Sequence, residues 1–200
     1  MLKLKKIAIT GGVASGKTSV CQFFKELKAY VVDADAIVHD LLNHHADLGK
    51  QLTQYFGPQI IQNGKISRKG IAEIAFKDLE ALRRLEKLLH PRVLQKIEEH
   101  YSAACNKGYY SAFVVEIPLL FEIEIEKNYD VIITVLADEE TAQKRFENAG
   151  FSKEQYDFRM KRQLSPKIKA AKSHFIIQNN GSLHDLRKQV VEVNQIIHQQ

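Results

Sequence analysis

The sequence predicts an α/β fold: a doubly wound, parallel five-stranded sheet with helices on both faces. Three observations carry that expectation. Five short apolar runs recur, Ile7–Thr10, Tyr30–Val32, Ala112–Ile117, Val131–Leu136 and Phe175–Ile177, and continuous runs of this length suit strands buried on both faces. Segments of helical periodicity separate them, the alternation that builds a parallel sheet. A glycine-rich turn, Gly11 to Gly16, joins the first run directly to the first helix.

The elements follow in order. The first strand ends at Gly11-Gly12, and from Gly16 to about Lys28 the residues Val20, Phe23, Phe24 and Leu27 recur at helical spacing. The second strand closes at Asp33. The stretch 36–107 reads as helical, with Leu82, Leu85, Leu88, Leu89, Val93, Leu94 and Ile97 along one segment, a break at Pro91, and turns at Phe56-Gly57-Pro58 and Asn63-Gly64. It contains no convincing strand and is expected to be a helical insertion. Pro118 stops the third strand, Asn179-Asn180-Gly181 ends the fifth, and a last amphipathic helix covers about Leu183 to His198.

At 200 residues, 44% hydrophobic and 26% charged, the chain suits one globular domain with an inserted subdomain. Its net charge of +5 favours phosphate-bearing partners mildly. The basic residues are scattered, without the long block or basic–aromatic stripe that a nucleic-acid backbone requires. Cys21 and Cys105 are far apart and form no C-x-x-C, so reduced thiols and a cytoplasmic setting are expected. No apolar run is long enough to span a bilayer. No sequence feature reports oligomeric state.

Gly11-Gly12-Val13-Ala14-Ser15-Gly16-Lys17-Thr18 fits G-x-x-x-x-G-K-[ST] at every required position, between a strand and a helix. Glycines allow the tight turn that brings backbone N–H groups to phosphate oxygens, and the helix start adds its dipole. Lys17 can reach the β- and γ-phosphates as a point charge, and the Thr18 hydroxyl can ligate a magnesium ion. Asp33 and Asp35 sit at the C-terminal end of the second strand, the edge at which such sheets bind ligands. There Asp33 can orient an acceptor hydroxyl and take its proton. Either aspartate can instead cap the following helix.

The chain resembles the dephospho-CoA kinase family. The resemblance rests on Ile9 to Thr18, Val32-Asp33-Ala34-Asp35, Gly64-Lys65-Ile66-Ser67-Arg68, Leu89-His90-Pro91-Arg92, Ile117-Pro118-Leu119-Leu120-Phe121-Glu122, Arg159-Met160-Lys161-Arg162-Gln163 and Asn179-Asn180-Gly181. It implies transfer of the ATP γ-phosphate to the ribose 3′-hydroxyl of dephospho-CoA. It also implies a phosphate-loop core, a substrate-binding insertion at 36–107 and a lid at 138–165. Within it Asp33 matches the catalytic base, Arg145 a lid cation, and Asp35, Arg68, His90 and Arg92 the acceptor side. Asn179 matches the turn that packs the adenine. Glu116 is a candidate magnesium-holding acid.

Each has a plainer reading. His90-Pro91 can break a helix, Arg68 can be a surface charge, Glu116 a buried paired carboxylate, and Asn179-Asn180-Gly181 an ordinary turn. Two positions depart from the family pattern. Ala149 stands where a second lid basic residue is usual, leaving Arg145 alone or aided by Arg159, Lys161 or Arg162, and Ser173-His174 replaces Ala-Asp. The alternative functions are a nucleoside or nucleoside-monophosphate kinase and, in another class, a nucleotide-gated binding module.

Overall fold

The computed structural model describes residues 3–62, 65–67, 69–71, 74 and 78–199. They form two compact units, residues 1–32 with 101–200, and residues 33–100. The first contains the sheet. Strands β1 (Lys6–Gly11), β2 (Tyr30–Asp33), β5 (Phe113–Glu116), β6 (Val131–Leu136) and β7 (Phe175–Gln178) lie in the order β2-β5-β1-β6-β7. β1 pairs parallel with both β5 and β6, with Ile7 opposite Val114 and Val131. β1, the strand that feeds the glycine-rich loop, is therefore central.

Side chains alternate across the sheet, so Ile7, Ile9, Val114, Ile133, Val135 and Ile177 share one face. They pack against Val20 and Phe24 of α1 (Lys17–Glu26) and Leu186, Val190 and Ile197 of α8 (Leu183–Gln199). Phe24 is fully buried, and truncation to alanine at such a site costs about 3–5 kcal/mol. On the other face Phe113 meets the Tyr101 ring edge-on, with centroids 5.2 Å apart. The helix α7 (Pro166–Ala171) packs there against β1 and β6. Among the described residues no helix is long and apolar enough to cross a membrane. Cys21 and Cys105 are both free thiols.

The second unit consists of α2 (Ala34–His44), α3 (Ala46–Phe56) and most of α4 (Leu79–Lys107), whose last turns belong to the first unit. Two expectations fail here. The first concerns strands: Ile61–Gln62 (β3) and Lys65–Ile66 (β4) form a small antiparallel pair. Two-residue strands are too short to display alternation, so no pattern announced them. Asn63 and Gly64 lie outside the described residues.

The second concerns Pro91, which does not end its helix; α4 runs through it. Proline removes one N–H donor and crowds the preceding turn. The Arg92 guanidinium donates to the Leu88 carbonyl at 2.7 Å and to Gln51 Oε1 at 3.2 Å. A side chain thus satisfies a carbonyl in the turn that the proline disturbs.

Side chains also finish the sheet at β7, the edge strand. The Gln189 amide accepts from the Gln178 N–H at 2.9 Å and donates to the Gln178 carbonyl at 2.8 Å. Its Nε2 and Oε1 thereby imitate a neighbouring strand. His174, one of the departures noted above, has a definite task. Its Nδ1 accepts from the buried Ile132 N–H at 3.0 Å, and its backbone N–H donates to the Ile132 carbonyl at 2.9 Å. An aspartate oxygen would serve the first bond equally well.

This yields a stability prediction. His174→Ala strands the Ile132 amide and should cost about 1–3 kcal/mol, whereas His174→Asp should recover most of that loss. Chemical denaturation of the three proteins at neutral pH measures it. Equal losses for both variants would deny His174 this role.

Candidate active site

The loop between β1 and α1 turns through residues that ordinary side chains could not replace. Gly11 has φ +149, and a Cβ there would lie 2.3 Å from the Val135 carbonyl oxygen. Gly16 has φ +93, and a Cβ would lie 1.9 Å from Asn179 Nδ2. Ala14 adopts φ 52, a left-handed conformation that costs a non-glycine residue about 1–2 kcal/mol. Such strain is retained where it shapes a site.

The result is a cradle of donors. The amides of Val13, Ala14 and Gly16 have no acceptor among the described residues. The Ser15 hydroxyl is buried without a partner. No acidic residue of α1 itself occupies its first turn, so the helix sets no charge of its own against the positive end of its dipole. Lys17 is buried, and its ammonium donates to the carbonyls of Gly12 at 2.8 Å and Gly11 at 3.4 Å. An anion with several oxygens fits this arrangement and would satisfy these donors.

Asn179 holds the cradle from behind. Its Nδ2 donates to the Ser15 carbonyl at 2.8 Å, and its side chain is packed away from solvent. Arg145, near the end of α5 (Glu139–Asn148), donates from Nη1 to the Asn179 carbonyl at 3.0 Å and from Nη2 to Asn179 Oδ1 at 3.5 Å. Arg145 therefore stands beside the start of α1. Asn180 Oδ1 accepts from the Asp138 N–H at 2.8 Å. The Asn179-Asn180-Gly181 turn is thus more than the end of a strand: it ties the loop to Asp138 and Arg145 at either end of α5.

The Thr18 hydroxyl donates to Glu116 Oε1 at 3.1 Å, and Glu116 is buried at the end of β5. The two oxygens suit a hard divalent cation that takes its remaining ligands from phosphate and water. Among the described residues no cluster of three or more His, Cys, Asp or Glu could hold a metal alone.

The segment expected to form a lid, 138–165, holds α5 and α6 (Lys153–Lys161), the latter opened by a Ser152–Gln155 capping box. Val13 of the loop packs with Ala142, Phe146 and Tyr156. A cleft of about 460 Å³ opens between the loop and these helices, lined by Gly12, Val13, Leu136, Tyr156, Met160 and Pro166. Ala149, the departure from the usual lid pattern, is the C-cap of α5, followed by Gly150 at φ +88. The Arg159 guanidinium lies over the rings of Phe146 and Phe151, at 5.2 and 5.1 Å.

Asp33 ends β2, and its Oδ1 accepts from the N–H groups of Asp35 at 2.8 Å and Ala36 at 3.2 Å. Asp33 is thus the cap of α2. Asp35, for which capping was an open reading, lies inside the first turn. His90 is half-buried on α4. Arg68 lies outside the described residues.

Sequence reasoning missed Lys169, which is fully buried and paired with Glu122 at 2.9 Å. Burial pushes its ammonium pKa down against the opposing pull of Glu122. Its neighbours Lys167 and Lys172 gave it the look of one more surface lysine, and only its i, i+4 relation to Ser165 and Ser173 hints at an inward face.

A curated relative from Protochlamydia amoebophila, named dephospho-CoA kinase, is 41% identical over 197 residues, covering 98% of this chain and 97% of the relative. The solved dephospho-CoA kinase from Campylobacter jejuni superposes with TM-score 0.72 at 30% identity, covering 96% of each chain. A Thermus thermophilus structure reaches TM-score 0.83 at 27% identity, covering 96% of this chain and 97% of that one. The family model described as dephospho-CoA kinase matches residues 5–185, and with that match covering most of its length, this chain belongs to the dephospho-CoA kinase family.

Proposed function

We propose that the protein transfers the γ-phosphate of ATP to the ribose 3′-hydroxyl of dephospho-CoA, giving CoA and ADP. The observation that carries this reading is the donor cradle of residues 11–18, with its orphaned Ser15 hydroxyl and its Thr18–Glu116 oxygen pair, in a chain of this family.

In this reading the amides of residues 13–18 and Lys17 hold the triphosphate, Lys17 exchanging its loop carbonyls for phosphate oxygens. Thr18 and Glu116 would hold magnesium, which would neutralise charge on the phosphates. Arg145 approaches the nucleotide from its place on Asn179, and Asn179 acts on it indirectly by fixing the Ser15 carbonyl. Asp35, Arg68, His90 and Arg92 are assigned to the acceptor. Asp33 orients the acceptor hydroxyl: its capping bonds hold Oδ1, and the second carboxylate oxygen is assigned to the hydroxyl. The hydroxyl oxygen bonds to the γ-phosphorus as the bond to the β,γ-bridging oxygen breaks, and the proton passes to Asp33. A sugar hydroxyl is far less acidic than a carboxylic acid, and a loose transition state needs little early push from the nucleophile. The transfer of the proton is accordingly late.

Purified protein with ATP and magnesium should convert dephospho-CoA to CoA, preferring it over adenosine as a competing acceptor. ATP turnover without CoA would refute the reading, and a preference for adenosine would support the nucleoside-kinase alternative. Asparagine caps helices as well as aspartate. Asp33→Asn should therefore keep the fold while turnover falls about 10²–10⁴-fold, and a near-normal rate would remove Asp33 from the chemistry. Lys17→Ala should lower both ATP affinity and the rate of transfer, the latter by about 10²-fold or more, in single-turnover assays. Unchanged ATP binding would contradict the role given to Lys17.

A further inference from the structure

A buried polar network lies beneath the loop, outside the donors that face the phosphates. Lys169 Nζ donates to the Pro118 carbonyl at 2.5 Å and pairs with Glu122 Oε1 at 2.9 Å. The same Glu122 oxygen accepts from the Leu164 N–H at 2.7 Å. Thr10, the residue before Gly11, donates its hydroxyl to the same Pro118 carbonyl at 3.3 Å. From the other side, the Lys169 carbonyl accepts from Ser173 Oγ at 2.9 Å, and Ser173 Oγ bonds Thr134 Oγ1 of β6 at 2.6 Å. Lys169 is 0% exposed, and Glu122 Oε2 is buried without a partner.

This arrangement is costly as a source of stability. Desolvating both charges offsets most of their attraction, and apolar side chains of equal volume would pack at least as well. What the pair supplies is fixed geometry between segments that the reaction needs. Leu164 lies between α6, the second lid helix, and α7. α7 begins at Pro166, whose Cγ approaches to 3.2 Å from where a Cβ on Gly12 would stand. Pro118 lies two residues beyond Glu116, and Thr10 immediately precedes the loop. One buried ammonium and one carboxylate thus join the lid exit, the turn carrying the metal-site acid and the strand feeding the loop.

We propose that Lys169 and Glu122 are positioning residues for phosphoryl transfer, setting the lid exit and the turn after β5 in register with the phosphate loop. The proposal rests on the kinase reading above. It predicts a loss of transfer rate that is separate from nucleotide affinity, because the groups that grip the phosphates are untouched.

The test uses the double variant Lys169→Met/Glu122→Gln. It removes both charges together, so no unpaired charge remains buried, and the glutamine oxygen can still accept from Leu164. Should that variant not fold, Glu122→Gln alone is judged by the same criteria. Expected are ATP affinity within about threefold of the parent, kcat lower by about tenfold or more, and faster hydrogen exchange at the Leu164 amide with β1 amides unchanged. A folded variant with kcat within about twofold of the parent overturns the proposal. So does a parallel fall of kcat and ATP affinity, which marks general structural support. Failure of the kinase reading shows differently: the parent protein would form no CoA, while ATP affinity and Leu164 exchange, which need no acceptor, would still judge whether the pair holds the lid exit.

Discussion

A lysine ammonium excluded from water must be surrounded by oxygen, and the loop of residues 11–18 is organised around that requirement. Lys17 is buried and turns back on the carbonyls of Gly11 and Gly12, which bends the loop into a ring of outward donors. The tight turn at Gly11, the left-handed backbone at Ala14 and Gly16, and the position of Asn179 behind Ser15 all follow from closing that ring. Phosphate oxygens can take the place of carbonyl oxygens around an ammonium, and as anions they bind it more strongly. The same contacts that stabilise the loop alone can therefore be traded for ligand contacts without exposing a bare charge in the interior.

The features legible in the sequence were those that depend on a few neighbouring residues. Five apolar runs became five parallel strands, and the spacing of Gly11, Gly16, Lys17 and Thr18 encoded the loop because each residue type has a local duty. Features that depend on distant partners were hidden. Pro91 looks like a helix end until Arg92 is seen bonding the Leu88 carbonyl. Residues 61–66 look like loop because two residues of strand show no periodicity. Lys169 reads as solvated until the fold places Glu122 against it. Asp33 was an intermediate case: its place at a strand end was readable, but its bonds to Asp35 and Ala36 make it a cap as well as a candidate base.

The two departures from the family pattern differ in kind. His174 accepts from the Ile132 N–H, and the neighbouring Ser173 extends the buried network toward β6. Both side chains are thus engaged in holding β6. At Ala149 the C-cap of α5 carries no charge, and Arg159 is engaged over two phenylalanine rings. Among the described residues of α5 and α6, Arg145, bonded to Asn179, is the cation set directly beside the loop.

The Gln189 amide on the last residue of β7 has a consequence for assembly. An open sheet margin invites strands from other molecules, and self-association through it is a common route to fibrils. Here a helix lends one side chain as a false strand of a single residue, covering both main-chain groups of Gln178. A foreign segment aligning with that margin would first have to evict the glutamine. The molecule thereby carries its own guard against sheet extension at low cost, one uncharged amide on an otherwise ordinary amphipathic helix.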